Sequence, residues 1–313
     1  MLKLLLGASG SGKTTLLYQR IRARAEKGEK SILLVPEQFT SSTEGRIYRE
    51  LGDALSGMVE SFSFTSLAEK ILSTEGGAAV QTLSDAGRAV LVRRALEELQ
   101  DNVHYYHRHR RSAAFCQMAA QTIDELKSAG LSGRQLAQLA GACGAESGKL
   151  SELALIFQGY ETLLARSGMD PSDRLELAGA RLEEALARHS LPEFLRDRAV
   201  FIDEFDTFNA PKKRLLGAML AALPSLTVAL CDDGAPLLPG DLSLFSGAKQ
   251  VAAQLRQLAR KNGAEVAVPQ LLRKDLRHRN APGLAAVAEL LETGSCTADA
   301  PTGEVRLFAA PSR

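Results

Sequence analysis

The chain has 313 residues, 45% hydrophobic and 24% charged, with a formal net charge of +1. That is enough for a sizeable core and about two domains, and the balanced charge by itself argues neither for nor against nucleic acid. The four cysteines, Cys116, Cys143, Cys231 and Cys296, form no C-x-x-C pair and read as scattered reduced thiols of a cytoplasmic protein. No apolar run approaches the roughly 18 residues of a membrane span, and the apolar stretch after Lys3 is too short for a signal peptide.

Leu2 to Leu6 is a short apolar run that reads as a buried strand. It leads into Gly7-Ala8-Ser9-Gly10-Ser11-Gly12-Lys13-Thr14, and a helical pattern starts at Thr15. This is a full G-x-x-x-x-G-K-[ST] match in a strand–loop–helix context. Glycines let the backbone curl until its N–H groups point at phosphate, and the helix N-terminus adds partial positive charge. The pattern predicts Lys13 on the β/γ-phosphates, Thr14 on Mg²⁺, and Gly7 to Thr15 as the ATP-binding stretch. A Gly/Ser turn that matches by chance is the plainer alternative, and the agreement of motif, strand and helix weighs against it.

A second strand is expected within Lys30 to Thr40, where the apolar run Ile32 to Val35 stops at Pro36. A helix follows from Ser42, with Ser41 or Ser42 as its cap and Glu44 in its first turn. A third strand is predicted from Met58 to Phe64, then a helix capped near Thr65 or Ser66. This alternation implies right-handed crossovers and a parallel sheet.

From residue 83 to 196 apolar residues recur every three and four positions, the helical period. Breaks are expected near Gly130, across Gly141 to Gly148, and at Gly168 to Pro171. Strands resume at Ala199 to Ile202 and Leu226 to Cys231. A helix over Ala248 to Asn262 and a short strand in "AEVAVP" follow. The final "GEVRLFAAPSR" begins as a strand and stops at Arg313, which suggests a truncated domain. The fold class is therefore α/β, a P-loop NTPase-type parallel sheet with an inserted all-α domain. Its expected boundaries are 1–82, 83–196 and 197–313.

"AVFIDEF" places Asp203 and Glu204 after four apolar residues. P-loop ATPases hold the Mg²⁺ shell with a carboxylate at the tip of a neighbouring strand, so Asp203 is the predicted metal carboxylate and Glu204 a general base. With Lys13 they form the candidate catalytic set. The alternative is an acidic, solvated turn. The ATPase class is a separate question. "LSGRQ", Leu131 to Gln135, is similar to the signature of ABC ATPases, but it lies far ahead of Asp203 and no switch histidine follows Glu204 at a suitable distance. The simpler account is Ser132 capping a helix after the Gly130 turn. An independent P-loop ATPase or small-molecule kinase with its own turnover is the alternative reading, although the helical insertion and the later motifs do not suggest a kinase.

"LLLGASGSGKTTLL", "ILLVPEQFTSSTEGRIY", "VESFSFTSLAEKIL", "GMDPSDRLELAGARLEE" and "AVFIDEFDTFNAPKKRLL", in this order, resemble the start of the AddB (RexB-type) subunit of bacterial AddAB helicase–nucleases, which are relatives of superfamily 1 DNA helicases. The resemblance runs along essentially the whole chain but covers only the N-terminal portion of such a subunit. It implies work on DNA double-strand ends for homologous recombination, beside an AddA-type partner, with single-stranded and duplex-end DNA as substrates. It also implies a part in recognising the Chi sequence. The nuclease domain and its iron–sulfur cluster belong to the C-terminal part of such subunits, and this chain's cysteines do not stand in for the cluster ligands.

The resemblance assigns "PEQFTSS" and "FSFTS" to strand tips that touch single-stranded DNA, and Asp203 and Glu204 to the acidic motif. It makes Arg279, with Arg277 close by, the arginine that senses nucleotide ahead of a helix. No segment before the first strand offers the Gln-containing adenine-recognition element of such helicases. "DEFDTF" lacks the Gln that often follows the acidic pair, and the second motor domain with its arginines is absent. Modest ATP binding and slow or undetectable hydrolysis are the expectation. The candidate DNA contacts are Gln38, Thr40, Ser41, Ser63 and Thr65, with Phe39, Phe62 and Phe64 as neighbouring aromatics. Phe62 and Phe64 would share one face of a period-2 strand, which fits core as well as stacking.

"NVHYYHRHRRS", Asn102 to Ser112, mixes three His, three Arg and two Tyr. It reads as a phosphate-contacting patch, or as a solvated basic segment. A metal site would lack a carboxylate or Cys at ligand spacing.

Overall fold

The computed structural model describes residues 1–79, 81–144 and 147–295. The predicted "GEVRLFAAPSR" strand and Cys296 lie outside the described residues. The chain divides into two compact units. One, α/β, takes in Met1–Ser63, Phe194–Thr207 and the chain from Leu220 onward; the other, all helical, takes in Phe64–Glu193 and Phe208–Met219.

Among the described residues the α/β unit is built on six strands: β1 (Leu2–Gly7), β2 (Ser31–Leu34), β3 (Val59–Phe62), β4 (Ala199–Ile202), β5 (Ser225–Cys231) and β6 (Gln270–Leu272). They form one sheet in the order β3-β2-β4-β5-β1-β6, and every pairing is parallel. Parallel strands covered on both faces read as continuous apolar runs. That is why "LKLLLG", "SILL" and "AVFI" showed no alternation, and β2 and β4 are buried at every position.

Helices α1 (Lys13–Ala25), α2 (Thr40–Leu51) and the short α3 (Asp53–Ser56) follow β1 and β2; α11 (Ser246–Lys261) and α12 (Pro282–Thr293) lie in the last third. Leu17, Tyr18 and Ile21 of α1 and Ile47 and Leu51 of α2 pack on Leu5, Leu33 and Phe201.

Three local readings are corrected. A 3-10 turn at Glu37–Phe39 runs directly into α2 at Thr40, so Ser41 and Ser42 lie within the helix; Ser42 Oγ donates back to Phe39 O at 2.9 Å. Strand β3 ends at Phe62, because α4 (Phe64–Glu75) already begins at Phe64. Thr65 and Ser66 thus sit in the first turn rather than at a cap. "AEVAVP" makes only an isolated bridge, Val266 with Leu2. The edge strand β6 starts after Pro269, which has no N–H for a ladder, and pairs with Leu5–Gly7.

In the helical unit α4 packs on α9 (Pro171–Ala187), α5 (Asp85–Glu98) on α6 (Ala113–Ser128) and α8 (Ser147–Ser167), and α7 (Gly133–Ala140) on α8; most of α10 (Ala210–Ala222) belongs here too. Phe157 and Tyr160 of α8 centre its core. "LSGRQ" is a helix start: Gln135 N–H donates to Ser132 Oγ at 3.3 Å, and Ser132 N–H donates to Gln135 Oε1 at 2.9 Å. This reciprocal arrangement is a capping box. Asp170 precedes Pro171 at the start of α9 and is 1% exposed. It accepts from Tyr160 Oη at 2.6 Å and from Lys127 Nζ at 2.8 Å.

Candidate functional site

In the α/β unit the sheet delivers four strand ends to one edge. Gly7 is level with Cys231, and Leu34 with Ile202, which is itself level with Val228. Ligands in open parallel sheets bind beyond the carboxyl ends of strands, and the predicted residues collect there.

Gly7 ends β1, Ala8 to Ser11 form the loop, and Gly12 is the N-cap of α1. Gly10 and Gly12 have φ of +82° and +88°, a conformation that side chains with a Cβ rarely adopt. Lys13, Thr14 and Thr15 make the first turn of α1, whose N–H groups have no side-chain cap. Lys13 folds back over the loop: its Nζ donates to Gly7 O at 2.7 Å and Ala8 O at 2.8 Å, with Cys231 Sγ at 3.6 Å.

Asp203 and Glu204 leave the end of β4. Asp203 N–H extends the sheet by donating to Leu34 O at 3.1 Å, and its side chain is 5% exposed. Burial pushes its carboxyl above the usual range, while a hydrogen bond with the Thr14 side chain and the charge of Lys13 pull the other way. Glu204 sits at φ +64°, and its N–H donates to Asp203 Oδ1 at 3.1 Å. These groups line a cavity of about 410 Å³ with Ser9, Gly10, Gly12, Lys13, Thr14 and Thr15. Thr14 and Asp203 offer oxygens of the kind a hard divalent cation takes.

Two further arginines reach this cavity. Arg46 of α2 lies 4.9 Å from the centre of the Tyr18 ring. Tyr18 is buried beneath it, and burial first, then the nearby carboxylates, pushes its hydroxyl up to about 12. Arg277 comes from the segment after β6, where Leu276 N–H donates to Gly10 O at 3.0 Å and Arg277 Nη1 to Ser9 Oγ at 3.0 Å. Arg279, the residue favoured from the sequence, is exposed and does not line the cavity.

A family model described as "ADDB, N-terminal" matches residues 4–288. The chain belongs to the AddB N-terminal family. Curated relatives are named as the B component of an ATP-dependent helicase/deoxyribonuclease. The one from Desulforudis audaxviator is 33% identical, with 100% of this chain aligned to 27% of its own length. That from Geobacillus kaustophilus is 30% identical over 100% of this chain and 27% of its own length. That from Clostridium perfringens is 29% identical over 89% and 24%. The chain thus spans about a quarter of the length of these AddB relatives.

The remaining predicted residues of this AddB-family chain are distributed less uniformly. Gln38 lies in the 3-10 turn after β2, and Thr40 and Ser41 in the first turn of α2; Gln38 and Ser41 are exposed and Thr40 half-buried. Ser63, just past β3, is buried at 4%. Thr65 is exposed on α4 of the helical unit. Phe62 faces Phe194 at 6.4 Å, whereas Phe64, in the other unit, packs edge-on against Phe208 at 6.0 Å. The shared strand face expected of Phe62 and Phe64 therefore does not form, although Phe64 is core, 3% exposed. Sequence reasoning missed Arg46 and Tyr18. The available signal was a basic residue three positions after Thr43 and one before Ile47, both on the buried face of α2.

Proposed function

We propose that this chain is the nucleotide-binding and DNA-guiding N-terminal region of an AddB-type subunit. As in its relatives' names, the whole subunit would serve an ATP-dependent helicase–deoxyribonuclease. An AddA-type subunit would be its partner, single-stranded and duplex-end DNA its substrate, and recombinational repair of double-strand breaks its setting. Any iron–sulfur cluster would belong to a nuclease region outside this chain.

One observation carries the nucleotide reading. A glycine-curled loop, a lysine held at its centre, the following threonine and a buried carboxylate all face one cavity. The residues fit Mg–ATP. Lys13 has its ammonium satisfied by two loop carbonyls and would turn from them to phosphate oxygens. The uncapped N–H groups at the start of α1 and the backbone around Gly10 and Gly12 would bind the same anion. Thr14 and Asp203 would hold the magnesium shell, and Glu204 would orient or deprotonate a water. Mg–ATP itself would supply the phosphoryl group and the charge that these residues hold in place. Arg46 and Arg277 line the same cavity. Hydrolysis by this region alone would be slow or undetectable.

Titration calorimetry of Mg–ATP into the full 313-residue chain, beside Lys13→Ala, tests the reading. Binding that the variant loses is the expected result. No heat with either protein overturns the nucleotide part. Steady turnover that Lys13→Ala abolishes points instead to an independent ATPase.

A further inference from the structure

The basic stretch of the helical unit is built as a presented surface. Asn102 and Val103 N–H groups both donate to Leu99 O, and Val103 is 2% exposed, so the loop leaves α5 anchored. The next three N–H groups converge on one carboxylate. Glu152 of α8 accepts from His104 at 2.9 Å, from Tyr105 at 2.8 Å and from Tyr106 at 3.1 Å. At the far end the Tyr106 and His109 rings lie 5.3 Å and 5.6 Å from the Phe115 ring, and Ser112 caps α6.

This anchoring uses the backbone and the inner rings, and it leaves the cations outward. Arg108 and Arg111 are exposed and Arg110 half-buried. Arg110 Nη1 lies 2.6 Å from His107 Nε2. None of the three arginines has a carboxylate partner among the described residues. The exposed arginines of neighbouring α5 differ: Arg93 pairs with Glu97 at 3.1 Å and Arg94 with Glu98 at 3.0 Å. Tyr105 is 56% exposed, and Lys149 Nζ stands 5.2 Å from its ring centre. Among the described residues no group of three His, Cys, Asp or Glu is arranged to hold a metal.

We propose that the His104–Arg111 loop, with Lys149, is a binding surface for single-stranded nucleic acid. Arg108, Arg110 and Arg111 take successive phosphates, and the exposed face of Tyr105 takes an unpaired base. Arginines without carboxylate partners beside an accessible aromatic ring are the combination that single strands use, and an acidic peptide would leave the ring without a role. The backbone N–H groups that could have cradled an anion are filled by Glu152, so the side chains do the recognition. This surface belongs to the helical unit and does not depend on the P-loop reading.

Fluorescence anisotropy with a labelled oligothymidylate, on the full chain at several salt concentrations, tests it. Each neutralised single-strand phosphate contributes a salt slope of roughly 0.7. Arg108→Ala/Arg110→Ala/Arg111→Ala should therefore flatten the slope by about 2 and weaken binding at least tenfold at low salt. Tyr105→Leu should weaken it about fivefold or more with the slope unchanged. Arg93→Ala/Arg94→Ala is the control on α5. Unchanged slope and affinity in the triple variant overturn the proposal, and so does an equal loss in the control. Equal affinity for a blunt duplex of the same length overturns the assignment to single strands. Loss only in Gln38→Ala/Thr40→Ala/Ser41→Ala would overturn the loop and leave the strand-tip reading standing.

Discussion

Gly10 and Gly12 show how much of the loop rests on single positions. A Cβ at Gly12 would meet Leu276 Cδ1 at 2.9 Å, the movable end of a side chain. A Cβ at Gly10 would meet Arg277 Cβ at 2.7 Å, close to backbone that Leu276 N–H ties to the loop. Gly12→Ala should therefore cost about 1–2 kcal/mol, mainly from its φ, and Gly10→Ala clearly more. Urea midpoints of the two variants check the order, and a larger loss at Gly12 would contradict it. Glu152 sets a second prediction. Burial opposes its charge, but the three backbone donors outweigh that and hold its carboxyl below the ordinary range. A carboxyl lowered on folding contributes stability that is full above the unfolded value and fades as pH falls through the folded one. The acid-side loss of stability, below about pH 4.3, should be shallower in Glu152→Gln; an identical acid limb would mean the clamp carries no weight. At this scale Lys13, Thr14 and Asp203 were legible because spacing alone fixes a P-loop and an acidic strand tip. Arg46 was not, and Arg277 was named only as the neighbour of Arg279, since their approach depends on how α2 and the chain after β6 pack.

Helix and strand beginnings mark where element-level reading succeeds. Ser132 needed only local chemistry, a serine after a turn with Gln three positions on, and the capping box is there. Ser132→Ala should cost about 1 kcal/mol in chemical denaturation; an unmoved midpoint would mean α7 is held by packing alone. Asp170 is a harder case. Its carboxylate pairs with Lys127, whose side chain is 11% exposed, and truncation would leave that ammonium and the Tyr160 hydroxyl without this partner. Lys127 keeps Asp173 at 2.6 Å, so Asp170→Ala should cost about 2–3 kcal/mol, still more than the cap. Strands β2 and β4 were readable because burial on both faces gives unbroken apolar runs. The edge strand β6 is three residues long and half-exposed, so "AEVAVP" carried the stronger apolar signal although it makes only the single bridge of Val266 with Leu2.

Across the whole molecule the chain passes between its two units at residues 63–64, 193–194, 207–208 and 219–220. No contiguous stretch of sequence therefore makes up the α/β unit, and composition alone could show a helical segment without showing that α4 and most of α10 pack with it. The P-loop cavity and the basic loop lie in different units, and hydrogen exchange can address the two separately. A ligand at about 100 times its dissociation constant stabilises the form that binds it by about 2.7 kcal/mol. Mg–ATP should slow exchange across Gly7 to Thr15, at Asp203 to Asp206 and in Asp275 to His278, and leave His104 to Arg111 unchanged. An oligothymidylate should slow exchange in His104 to Arg111. Lys13→Ala should remove the first pattern and keep the second, because the groups that hold phosphate at the P-loop and those that hold a strand at the basic loop are different residues. If Lys13→Ala erased both patterns, one ligand would be acting through the other site and the two surfaces would have to be treated as a single coupled function.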